Sequence, residues 1–165
     1  MLVRALAILA ILALAAAIGF GIYWFQGTHS AGAGHAAERD QAVDAAEQIV
    51  VNINTVRPQS IDADLAAAQS SLTDPMLTEY GQVRQKFADG LKQAQANVVA
   101  VPAGASLTAF DPDKGTASAI VAINVTASST NTPQPTQKQQ LFEVEMLRTP
   151  DGWKASKAAP SSGQS

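Results

Sequence analysis

Cysteine is absent from the 165 residues. That removes disulfides, thiolate nucleophiles and cysteine-ligated zinc. Histidine is scarce: the two are His29 and His35, both near the beginning of the chain. Aromatic residues make up 5%, so any core has to be built mainly from Leu, Ile, Val and Ala. Basic residues are too few for a nucleic-acid surface, since the formal net charge is −3 and the pI near 5.2. No phosphate loop, dinucleotide fingerprint, zinc-ligand spacing or nucleophile elbow occurs in the sequence. No catalytic residue, cofactor site or metal site is therefore assigned.

Charge is also missing from the whole run Ala5 to Phe25. As a helix this run is about 31 Å long, close to the hydrocarbon thickness of a bilayer. It exceeds the apolar region of a secretion signal, roughly 7–15 residues. Cleavage after Ala15 or Ala17 would leave an exposed apolar "IGFGIYWF" terminus. The run therefore reads as an uncleaved anchor. Tyr23, Trp24 and Phe25 fall where an aromatic belt meets the headgroups. Arg4 precedes the run and no Lys or Arg follows it until Arg39. This bias predicts a cytoplasmic N-terminus and an exported remainder, a single-pass protein of the cell (inner) membrane. Ala15 and Gly19 are four apart, as are Ala17 and Gly21. An alanine-rich span produces such pairs readily. Ala15, Gly19 and Gly21 are nevertheless the candidates for a face packing closely on another membrane helix.

Beyond the run, "GTHSAGAG" reads as a flexible tether. No acid lies near enough to orient His29 or His35 before Glu38, so both are taken as solvated. In "AAERDQAVDAAEQIVVNINTV", Val43, Ala46, Ile49, Val50 and Ile53 recur at helical spacing. Arg57-Pro58 ends that helix. A shorter one is predicted from Asp62 to Ser71, with Ser60 as N-cap. A third follows Asp74 as cap and Pro75 as its first residue. Its apolar stripe would be Leu77, Tyr80, Val83 or Arg84, Phe87, Leu91 and Ala94. Arg84, Lys86 and Lys92 read as partners of nearby acids.

After Asn97 the period changes to that of strands. The stretch around Pro102 and Gly104 is one strand or two short pieces. Asp111 to Gly115, "DPDKG", is a turn rather than a calcium site. In "TASAIVAINVTAS", Val121, Ile123 and Val125 share one face, and the low polarity of the other suggests two covered sides. "SSTNTPQPTQ", 128–137, reads as a loop. Phe142, Val144 and Met146 alternate with Glu143, Glu145 and Leu147 before a "TPDG" turn. Trp153 then opens a return strand and packs over its neighbour. Glu143 and Glu145 read as a solvated strand face rather than a catalytic pair.

These elements, in this order, resemble the Mce-associated membrane proteins of actinobacteria (Mce for mammalian cell entry). The resemblance rests on the single span, on "AERDQAVDAAEQIVVNINTV", on "IDADLAAAQSSLTDPMLTEYGQVRQKF", on "ASAIVAINVT" and on the closing "LFEVEMLRTPDGWKAS". The first helix departs from it, lacking the basic start and the tyrosine that relatives often carry. The resemblance implies a cone-like α+β domain similar to nuclear transport factor and scytalone dehydratase, with about three helices on a curved antiparallel sheet. It also implies a non-enzymatic accessory subunit of an ABC-type lipid importer. Its partners would be the bilayer and the importer's permease and tunnel-forming subunits, with no nucleic acid. The expected layout is a cytoplasmic N-terminus at 1–4, a transmembrane helix at 5–25, a linker at 26–36, the domain at 37–158 and a disordered tail at 159–165. The alternative is a membrane-anchored lipid- or hydrophobic-ligand-binding module. Phe87, Val121, Ile123, Phe142 and Met146 would then line a cavity rather than a core.

Overall fold

A computed structural model describes residues 34–161. The chain divides into two compact units, Met1–Glu38 and Arg39–Ser165. Of the first unit only residues 34–38 are described. They are helical, with His35 Nδ1 3.7 Å from Glu38 Oε2. The linker expected at 26–36 is thus corrected at its end, since 34–36 are helix. The expected span at 5–25, with Ala15, Gly19, Gly21, Tyr23, Trp24 and Phe25, lies outside the described residues, as does His29. Among the described residues no helix is long and apolar enough to cross a membrane.

Helix α1 covers residues 34–54. In the second unit it buries Ala42, Ala46, Ile49 and Val50, one face at four- and three-residue spacing. The buried stripe starts one residue before the predicted one, which leaves Val43 and Ile53 at its shoulders. The helix also stops before Arg57. There Val56 and Val98 exchange two backbone hydrogen bonds of 2.8 and 2.7 Å, which draws the chain into an extended pairing.

Helix α2 is Ile61–Ser70 and α3 is Met76–Ala94. The N-cap of α3 is Pro75, one residue later than the predicted Asp74. Asp74 caps no backbone amide and instead accepts the Thr78 hydroxyl at 2.6 Å. Helix α3 ends at Gln95, whose left-handed backbone (φ 49°) returns its N–H to the last turn.

Four antiparallel strands follow in the order β1-β2-β3-β4. They are Asn97–Asp111, Thr116–Ser129, Thr132–Thr149 and Gly152–Pro160. The first is one strand, with a bulge between Pro102 and Gly104 that bends it without breaking it. The predicted loop at 128–137 is corrected: most of it is paired strand, Thr136 opposite Ala127 and Gln137 opposite Thr126. Its prolines sit at the start of β3, where no third strand needs their missing N–H. The tail expected from residue 159 is corrected as well, because β4 runs on through Pro160.

The register sets the core. Val121 lies opposite Ala105 and Phe142, Ala119 opposite Leu107 and Val144, and Ala117 opposite Phe110 and Met146. These residues form one cluster with Ala42, Ala46, Ile49 and Val50 of α1. Alanine on both sides lets the helix lie close to the sheet. A second cluster joins Val56, Ile61, Leu65 and Ala88 beneath α2 and α3. Among the described residues the architecture is α+β, three helices with a four-stranded antiparallel sheet. The outward side of β2 is open, with Ile120 exposed, so only one of its two apolar faces is covered.

Candidate interaction surface

Among the described residues Asp64 is the buried ionisable side chain. It is fully engaged in the turn between α1 and α2. Arg57 donates to it from its main-chain N at 2.8 Å, from Nε at 3.2 Å and from Nη2 at 2.6 Å, and the Ser60 hydroxyl donates at 2.9 Å. Ser60 therefore stands at the N-cap position but spends its hydroxyl on the carboxylate. Burial pushes the Asp64 carboxyl up, while the bonds from Arg57 and Ser60 together outweigh it and hold the group below its ordinary range. Neither the pair nor its role was read from "RPQSIDAD". The signal available was a serine four residues before an acid, with an arginine three residues before the serine.

The other sequence-derived candidates separate clearly. Val121, Ile123, Phe142 and Met146 are brought together in the main core, each at most 7% exposed. Phe87 is not with them. Its expected place with them is corrected: it is 50% exposed on the outer side of α3, beside Val83 at 56%. Both follow from the geometry of α3, which turns Ala88 and Leu91 inward against Leu65 and Ile61. Val83, Lys86, Phe87, Gly90 and Leu91 line a shallow apolar hollow.

On the open face of the sheet, Glu143 and Glu145 project from β3. Glu145 accepts Lys157 at 2.9 Å and Glu143 accepts the Ser161 hydroxyl at 3.0 Å. The nearby carboxylate raises the Lys157 ammonium. Asp111 accepts the main chain and Nζ of Lys114, at 3.0 and 2.7 Å, as a turn residue does. Lys92 reaches Asp62 at 3.0 Å. Trp153 lies over Phe110 with ring centroids 6.2 Å apart. Among the described residues no group of three or more His, Asp or Glu side chains is placed to hold a metal ion. Among the described residues the surface carries exposed apolar side chains and paired polar ones.

No family model matches the sequence. Two uncharacterized proteins of Mycobacterium tuberculosis, from strains CDC 1551 / Oshkosh and ATCC 25618 / H37Rv, are each 26% identical over 120 residues, 72% of this chain and 54% of theirs. The chain spans about half the length of the curated relatives it matches. Among solved structures, an IcmL-like type IV secretion system protein from Legionella pneumophila superposes with a TM-score of 0.59 at 15% identity, covering 77% of this chain and 96% of that one. The periplasmic domain of DotI gives 0.58 at 18%, covering 73% and 92%. CagV, a VirB8 homolog of Helicobacter pylori, gives 0.55 at 10%, covering 76% and 99%. The domain shares the fold of these secretion-system proteins.

Proposed function

We propose that this chain is a non-enzymatic accessory subunit of a membrane-embedded complex of the Mce-type lipid-importing class. The run Ala5–Phe25 anchors it in the cell membrane with its N-terminus in the cytoplasm, and the α+β domain lies on the extracytoplasmic side. The observation that carries this reading is a combination. A domain with the fold of type IV secretion components, DotI's periplasmic domain among them, follows an uncharged run of bilayer length. Two features support a role in assembly over catalysis. The buried carboxylate Asp64 has its oxygens occupied by Arg57 and Ser60, and the surface keeps large apolar side chains such as Phe87 and Leu141 exposed. The resemblance described from the sequence supports the Mce class. In this reading the permease and tunnel-forming subunits are the partners, and Ala15, Gly19 and Gly21 face the permease helices.

Deletion of the gene tests it. Lipid uptake through the importer should fall and should return with the full chain, but not with a chain lacking residues 5–25. Unchanged uptake in the deletion strain would overturn the proposal.

A further inference from the structure

The ladder between β3 and β4 stops partway along β3. Strand β3 runs from Thr132 to Thr149, but its pairing with β4 begins at Phe142, opposite Pro160. From Thr132 to Gln140 the ladder of β3 is with β2 on one side only. The other side of that stretch is a strand edge.

The hydrogen bonds show which residues face the edge. Backbone groups of an antiparallel strand point alternately to one neighbour and to the other. Ser161, one residue past β4, donates its N–H to Leu141 O at 2.7 Å, so Leu141 faces the β4 side. Gln139 and Gln137 therefore face it too, with Pro135 and Pro133 next in the alternation. Each proline turns its missing donor toward the edge, where a sheet tolerates it. The rungs left with both donor and acceptor are those of Gln139 and Gln137.

An open edge is a template for another strand. A second copy of this edge, running antiparallel, would pair Gln139 with Gln137 and set Lys138 directly opposite its mate, like charge against like. The chain's own continuation meets no such obstacle. Residues 162–165, "SGQS", are uncharged and follow Ser161 directly. Ser161 is held at the edge twice, by its N–H on Leu141 and by its hydroxyl on Glu143 Oε1 at 3.0 Å. Phe142 pairs with Pro160 and Glu143 with Ala159. Continued in step, that register brings Gly163 opposite Gln139 and Ser165 opposite Gln137.

We propose that residues 162–165 continue β4 along β3 as a strap that closes this edge, Gly163 exchanging both backbone hydrogen bonds with Gln139. The strap occupies the edge from within the chain, so a partner's strand finds no free rung there. The strap does not depend on which complex the chain serves.

The alternation also orders the strap's own amides. The N–H of Gly163 turns toward β3, and that of Ser162 turns away from it. Proline at 163 therefore removes a rung, and proline at 162 removes none.

Amide hydrogen exchange of the full chain in detergent, followed residue by residue by nuclear magnetic resonance, tests this. The Gln139 amide should exchange at least about tenfold more slowly than in a chain ending at Ser161. Lys138 and Gln140, whose amides face β2, should exchange alike in both. Gly163→Pro should release the Gln139 amide, and Ser162→Pro should leave it protected. Val121 and Val144 of the core should stay protected in every variant, which separates loss of the strap from loss of the fold. Equal exchange of Gln139 with and without residues 162–165 would overturn the proposal. So would release by Ser162→Pro to the same extent as by Gly163→Pro.

Discussion

The Arg57 guanidinium lies 2.6 Å from the carboxylate of Asp64, and the same carboxylate accepts the Arg57 amide at 2.8 Å. One residue thus closes the turn between α1 and α2 twice, with main chain and side chain. The arginine is half exposed and the aspartate buried, so the loss falls mainly on the groups that Asp64 satisfies. Asp64→Asn should cost about 2 kcal/mol at neutral pH in urea unfolding. The sign with pH follows from the direction of the shift. The folded carboxyl sits below its ordinary value, so its contribution is present above the unfolded value of about 3.9 and fades as pH falls through the lower folded one. Wild type and Asp64→Asn should converge in acid. A difference that widens there would contradict the assignment.

Core and surface phenylalanines should behave oppositely. Phe142, 7% exposed, belongs to the main cluster, and Phe142→Ala should cost about 3–5 kcal/mol. Phe87→Ala should change stability by no more than about 0.5 kcal/mol. Equal losses at the two sites would mean that Phe87 is covered.

Two glycines predict opposite signs. Gly115 has φ +63° in the β1–β2 turn, and an added Cβ would lie 3.0 Å from Arg148 Cβ. Gly115→Ala should destabilise by about 1–2 kcal/mol. Gly81 sits in α3 with open space around it, so Gly81→Ala should stabilise by up to about 1 kcal/mol. Paired denaturation curves would show both.

Much of the fold was legible because its signals were periodic. Phe142, Val144 and Met146 alternate with charged neighbours, and all three are buried as the pattern predicts. The DPDKG and TPDG turns also fall where proline and glycine place them. Residues 128–137 were misread because Pro and Thr resemble a loop, whereas pairing with β2 overrides local preference there. Phe87 was misplaced for a different reason. Its stripe on α3 is broad, and the sequence does not say which edge of it meets the core. The Arg57–Asp64 clamp was invisible because a buried ion pair has no periodicity.

In the proposed anchor, Gly19→Leu and Gly21→Leu should weaken recovery of the proposed importer partners while leaving the thermal unfolding of the domain unchanged. Unaltered recovery would remove the packing role from Ala15, Gly19 and Gly21.

The most direct measurement is affinity purification of the tagged full chain from detergent-solubilised native membranes, with the co-purifying proteins identified by mass. An accessory role predicts the permease and tunnel-forming subunits of one importer in constant ratio to the chain. Recovery of the chain with only further copies of itself would contradict that role.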